Sequence, residues 1–132
     1  MAVFHFELVS PDKLQFNGPA QSVLVPGSEG DFQVLRDHAP VMTSLRPGVV
    51  AVEEEGGKVS RFFVRGGFAD VNLGGLIVLA ETAMPAEDVN AARLDQEIKN
   101  AEEDLADASE DNKRLAQEKL DRLRELKEAM KL

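Results

Sequence analysis

The chain has 132 residues, no Cys and a formal net charge of −9. That length gives one domain plus an appendage; the acidic balance, with no basic stripe to neutralise a run of phosphates, excludes nucleic acid as a partner; and the lack of Cys excludes a disulfide framework and a Cys-ligated metal. The longest strongly apolar run, Leu76-Ile77-Val78-Leu79-Ala80, is too short to span a bilayer, and the segment from Met1 to Glu7 lacks the basic start and apolar core of a signal peptide, so a reducing, cytoplasmic-side location without membrane insertion is expected.

Short strands separated by turns are predicted up to Pro85. Phe4, Phe6 and Leu8 alternate with His5, Glu7 and Val9, the period of a half-buried strand. Pro11-Asp12 is expected to turn the chain, and Asn17-Gly18-Pro19 to turn it again before Ser22-Val23-Leu24-Val25. Gly27-Ser28-Glu29-Gly30 is a third turn, followed by a strand over Asp31-Phe32-Gln33-Val34-Leu35. Pro47-Gly48 precedes Val49-Val50-Ala51-Val52, and Gly56-Gly57 joins that strand to Val59–Val64 as a hairpin. Gly66-Gly67 and Gly74-Gly75 bracket Phe68-Ala69-Asp70-Val71, and the run Leu76 to Ala80 closes the set. Strands this short and this closely spaced predict an antiparallel β-sandwich or small barrel over residues 1–85.

The composition then changes. All 10 Gly, all 6 Pro and all 7 Phe lie at or before Pro85, and of the 46 residues from Glu87 to Leu132, 23 are charged. Leu94, Ile98, Ala101, Leu105 and Ala108 recur at helical steps, as do Ala116, Leu120, Leu123, Leu126 and Met130. Between them, Ala108-Ser109-Glu110-Asp111-Asn112 is rich in capping residues, so residues 86–132 are predicted to form an antiparallel two-helix hairpin. Its apolar seam is narrow and Ala-rich, which favours detachment. The first helix holds eight acidic and two basic residues, the second six acidic and seven basic. This opposite bias helps the pair dock and leaves the second helix able to face an acidic partner. Pairs such as Asp95–Lys99 and Glu118–Arg122 account for most of the charge as solvated faces.

No catalytic constellation is present in the sequence. His5 and His38 are the only histidines, and neither has a second His or a Cys at ligand spacing, so no metal site is expected. There is no Gly-x-Ser-x-Gly elbow, and Gly57-Lys58-Val59 lacks the upstream Gly and the Ser/Thr of a phosphate loop. Glu53-Glu54-Glu55 enters a hairpin turn as a solvated edge, not as a general acid/base pair. A sandwich enzyme working through carboxylates finds no convergent site.

Several stretches carry a resemblance. Gly27-Ser28-Glu29-Gly30-Asp31, His38-Ala39-Pro40, Leu45-Arg46-Pro47-Gly48, Gly66-Gly67-Phe68-Ala69-Asp70-Val71 and Val78-Leu79-Ala80-Glu81-Thr82-Ala83 run in the order found in the epsilon subunit of bacterial F-type ATP synthases, with the helical hairpin following where that family has one. The resemblance implies a non-catalytic subunit of the rotating central stalk, with a ten-stranded β-sandwich that binds the gamma subunit and rests on the c ring. It also implies helices that lie folded or extend into the alpha/beta catalytic head to inhibit ATP hydrolysis. The location implied is the cytoplasmic face of the bacterial inner membrane, as a peripheral part of the complex. By the same resemblance Ser28, Glu29, Gly30 and Asp31 form the rotor-ring contact.

No cofactor is required, but ATP is implied as a weak regulatory ligand of the folded hairpin. The family signature there, Ile/Leu-Asp-x-x-Arg-Ala, corresponds to Val89-Asn90-Ala91-Ala92-Arg93-Leu94: Arg93 matches, while Asn90 stands for the Asp and Leu94 for the Ala. Arg93 would be the main phosphate contact, with Asn90 beside it and Arg122 or Arg124 facing it from the second helix. Asp37 departs from the Gly that usually precedes the His of the His38-Ala39-Pro40 loop. The alternative function is a free-standing ATP-sensing module with nucleotide at the same hairpin.

Overall fold

Alternation of apolar and polar residues builds the first part of the chain, because successive side chains of a strand point to opposite faces. The structure, a computed structural model, describes residues 2–132; Met1, where the expected sandwich span 1–85 begins, lies outside the described residues. Nine strands follow one another: β1 Phe4–Val9, β2 Leu14–Gly27, β3 Gly30–Val34, β4 Val41–Ser44, β5 Gly48–Glu54, β6 Val59–Arg65, β7 Phe68–Asn72, β8 Gly75–Leu79 and β9 Thr82–Pro85. A 3-10 turn at Ala86–Asp88 leads to α1 Ala91–Asp107 and α2 Lys113–Met130. The chain divides into two compact units, the second of which is Glu87–Leu132. The expected fold class, a β-sandwich followed by a two-helix hairpin, is the one observed.

The sheet runs β4-β7-β8-β1-β2-β5-β6-β9, with β3 added to β2. It remains open, with β4 and β9 at its ends. The family resemblance implies ten strands, and the described residues form nine. One pair is parallel: β1 lies beside β8 with Phe6 opposite Leu76 and Leu8 opposite Val78, while every other named pair is antiparallel.

β2 explains how one continuous sheet becomes a sandwich. Its 14 residues extend about 45 Å at the usual rise. Residues 14–20 pair with β1, and later residues pair with β5 and β3. The turn expected at Asn17-Gly18-Pro19 is therefore not there: these residues lie within β2, opposite Glu7, Phe6 and His5. Pro is tolerated because β1 is the only strand beside β2 at residue 19, and the register shift towards β5 falls just beyond, between Ala20 and Ser22. The alternating positions Phe6, Leu8, Val23, Val25, Val50, Val52, Leu76 and Val78 are fully buried and form the core with Val64, Ala69 and Val71. Each such aliphatic side chain contributes about 1.5–3 kcal/mol by its removal from water. Phe6, Phe16 and Phe62 continue the core as an aromatic row, with ring centroids 5.4 and 6.3 Å apart.

In the helical unit α1 and α2 pack on each other. Leu94, Ala101 and Leu120, all on the predicted stripes, are its buried side chains among the described residues, and Ile98, Leu105, Leu123 and Leu126 are half-buried. Two ion pairs cross between the helices, Lys127 Nζ to Asp95 Oδ1 at 2.9 Å and Arg124 Nη2 to Glu102 Oε2 at 3.6 Å. Asp95 thus reaches across the hairpin and not along the helix to Lys99, and Glu118 pairs with Arg114 at 3.0 Å rather than with Arg122. Close helix packing offers a cross-helix cation as near as the one on the same helix.

Candidate functional site

Turn chemistry places the first candidate. Gly27 and Gly30 face each other across a two-residue loop, Ser28-Glu29, with Gly30 at φ +130°. Only Gly enters that region freely, which is why the hairpin turns there. A Cβ on Gly27 would lie 2.9 Å from the Gly30 carbonyl oxygen and 3.0 Å from the Phe32 ring, so the two strands close tightly at the turn. The loop is also held from outside. The Ser28 backbone N–H donates to the Ser44 carbonyl at 2.8 Å, and Arg46 N–H donates to the Pro26 carbonyl at 3.0 Å. Leu45 bridges to Gly27, and Arg46 Nη2 bonds Asp31 Oδ1. Ser28, Glu29, Gly30 and Asp31 thus stand together at one exposed tip. The motif Leu45-Arg46-Pro47-Gly48, to which the sequence assigns no role, is its buttress. Nothing local signals this, because Asp31 lies in β3 and Arg46 follows β4, 15 residues further along the chain.

The second candidate set lies in the helical unit. Asn90 is the N-cap of α1, with extended backbone, and its side-chain oxygen accepts the Arg93 N–H at 3.0 Å. An Asn just before an apolar helical period carries that signal in sequence. Arg93 itself is exposed, and its Nε donates to Glu97 Oε1 at 3.3 Å, the i,i+4 pair of a solvated helix face. Arg124 is engaged by Glu102, while Arg122 lies on an exposed position of α2. The cross-helix pairs fix the register: Arg122 is level with residues around 100–104 of α1, roughly 10–16 Å along the axis from Arg93. The structure thus brings Asn90 and Arg93 together in the first turn and sets Arg122 and Arg124 further along.

Both histidines line one cleft of about 450 Å³ in the β unit, together with Arg36 and Asn72. His5 Nε2 lies 2.9 Å from Glu7 Oε1, and His38 Nδ1 is 2.7 Å from the Ala39 carbonyl, so each ring has a local partner. No cluster of three metal-binding side chains forms among the described residues. Asp37, where the resemblance has Gly, takes φ +65°. It therefore occupies the left-handed conformation that Gly adopts freely and that Asp enters more readily than most residues.

The described residues thus form an open sandwich with a clamped acidic hairpin, followed along the chain by a two-helix unit whose first helix is capped by Asn90. Residues 3–86 match the model of the ATP synthase delta/epsilon chain, β-sandwich domain. The chain belongs to that family. It is 53% identical over 124 residues to the ATP synthase epsilon chain of Parvibaculum lavamentivorans, covering 93% of this chain and 94% of the relative. It is 47% identical to the epsilon chain of Mesorhizobium japonicum over 84% of this chain and 82% of that one. Among solved structures, a chain in the Euglena gracilis mitochondrial ATP synthase, OSCP/F1/c-ring in rotational state 1, superposes with a TM-score of 0.79 at 26% identity, over 98% of this chain and 82% of that chain. A chain of the Tetrahymena thermophila mitochondrial ATP synthase central stalk and c-ring shares the fold at a TM-score of 0.64 and 14% identity, over 96% of each chain.

Proposed function

We propose that this protein is a non-catalytic central-stalk subunit of a proton-translocating F-type ATP synthase, joining the rotor to the catalytic head. The observation that carries the reading is the family match over residues 3–86, extended into the helices by epsilon chains alike over nine-tenths of the length. The β unit sits against the gamma subunit and the c ring, with Ser28, Glu29, Gly30 and Asp31 towards the ring. The helical unit folds down or extends towards the alpha/beta head, where it inhibits ATP hydrolysis. The protein is peripheral, on the cytoplasmic face of the inner membrane; among the described residues no helix is long and apolar enough to cross a bilayer. The test is whether the protein co-purifies with the membrane ATPase and whether its removal and re-addition change the hydrolysis rate. A chain that never associates with the complex overturns the reading.

ATP at the helical unit is a weak ligand in this reading, because the charged groups it would meet already have partners. Arg93 is paired with Glu97 and Arg124 with Glu102, and Asn90 caps α1. Phosphate must replace these carboxylates inside an acidic surrounding that includes Glu87, Asp88 and Asp95. Titration of ATP into the protein and into Arg93→Ala decides the matter: affinity falls in the variant if Arg93 holds phosphate. Equal affinity removes Arg93 from the site, and no binding at millimolar ATP removes the site along with the free-standing ATP-sensor alternative.

A further inference from the structure

We propose that Asn17 is a spontaneous deamidation site which the pairing of β1 with β2 holds shut, and that reaction there weakens the same pairing.

Asn17 is the only asparagine followed by glycine, and Gly18 has no side chain to hinder its backbone nitrogen. That nitrogen, once it has lost its proton, can attack Asn17 Cγ. The N–Cγ bond forms, the Cγ–Nδ2 bond breaks and ammonia leaves, which gives a five-membered succinimide. Water then opens the ring at either carbonyl, so that one amide and one water become ammonia and the carboxyl group of Asp or isoAsp. Ring closure requires the Asn17 ψ to swing far from its extended value. A solvated turn at Asn17-Gly18-Pro19 would allow this freely. These residues instead lie in the ladder opposite Glu7, Phe6 and His5, and Phe6, Leu8 and Ala20 around them are fully buried. Asn17 itself is exposed, so water reaches it and the backbone geometry sets the rate.

The product fits the sheet less well than the amide. Glu7 stands directly opposite Asn17, where Cβ atoms approach to about 4.5–5.5 Å and like charges oppose pairing. In isoAsp the chain also runs through the former side chain, which lengthens the backbone within the ladder. Because β1 joins β2 to β8, damage at this one residue loosens the middle of the sheet.

Full-length protein is incubated in mildly alkaline buffer, folded and in urea, and conversion is read from the mass of the peptide that contains Asn17. The reaction is expected to run about a hundredfold faster or more in urea, since the opened ladder is a minor state of the fold. Gly18→Ala is expected to slow it in urea and to keep the fold, because the added Cβ meets nothing closer than Phe16 Cε1 at 3.8 Å. Leu8→Val thins the core under β1 and is expected to speed the folded reaction by up to about tenfold, with the rate in urea unchanged. Asn17→Asp is expected to lower the melting temperature by about 1–8 °C, and by less when Glu7→Gln is present in the same chain. Folded and urea rates within about threefold of each other overturn the protection by β1, as does a Leu8→Val chain that melts earlier without reacting faster. An equal fall for Asn17→Asp with and without Glu7→Gln overturns the conflict of charge in the ladder.

Discussion

Replacing Gly67 by Ala puts a methyl group where the backbone of β8 already lies. The residue sits at φ +94°, and an ideal Cβ would be 1.8 Å from the Leu79 carbonyl oxygen and 2.8 Å from its carbon. Gly57 is the natural control: its φ is +96°, but nothing lies within 4 Å of its Cβ position. Both substitutions incur the left-handed backbone cost of about 1–2 kcal/mol, and both gain the same small amount from a stiffer unfolded chain. These terms cancel in the difference, which isolates the contact. At Gly67 the Leu79 carbonyl must move. Leu79 is paired with Phe68 of β7 and with Val9 of β1, the next residue's N–H bonds the Val9 carbonyl at 2.9 Å, and the Gly67 carbonyl accepts Leu45 N–H at 3.0 Å. Losing two or three such bonds at about 1 kcal/mol each makes Gly67→Ala worse than Gly57→Ala by about 2–3 kcal/mol. For a unit of this size that separates the melting temperatures by about 8–24 °C. Thermal unfolding of the two variants, followed by circular dichroism in the strand region, reads the difference directly. Melting points within about 2 °C of each other would refute the close approach of β7 and β8 that the contact requires.

Truncation after Ala86 is expected to leave a folded β unit, since the sandwich core draws on β-strand residues and the aromatic row Phe6, Phe16 and Phe62. Dispersed amide resonances check this, and collapsed ones would make the helices part of the core. Asn90→Ala removes the cap of α1 and is expected to destabilise its first turn by about 1 kcal/mol, seen as roughly fivefold faster amide exchange around residues 91–94. Asn90→Asp keeps the acceptor and adds about 0.3–1 kcal/mol of favourable charge at the helix start, so exchange there should slow; the same exchange experiment separates the two.

The candidate sites were legible to different degrees. Asn90 at the head of α1 and the Gly27–Gly30 turn carry short-range signals, a capping side chain before a helical period and glycines spaced for a two-residue loop. The role of Arg46 carries none, because its partner Asp31 is 15 residues away and meets it only when the ends of β2 and β4 come together. In the same way Arg93, Arg122 and Arg124 read as one basic set along the chain. The helix register then separates them along the axis.

Period and punctuation determined much by themselves. Alternation in Phe4–Val9, glycine pairs at 56–57, 66–67 and 74–75, and the loss of Gly, Pro and Phe after Pro85 decide where strands end and helices begin, because each follows from the conformational freedom of a few adjacent residues. Tertiary structure alone decided that β1 lies parallel to β8, although their partners Phe6 and Leu76 are 70 positions apart. It also decided that Asn17-Gly18-Pro19 stays extended inside β2 and that Asp95 turns to Lys127. Turn-forming residues only permit a turn. Whether the chain takes it depends on whether a neighbouring strand supplies ladder bonds and a buried face, and those are set by edges left unpaired elsewhere in the sheet.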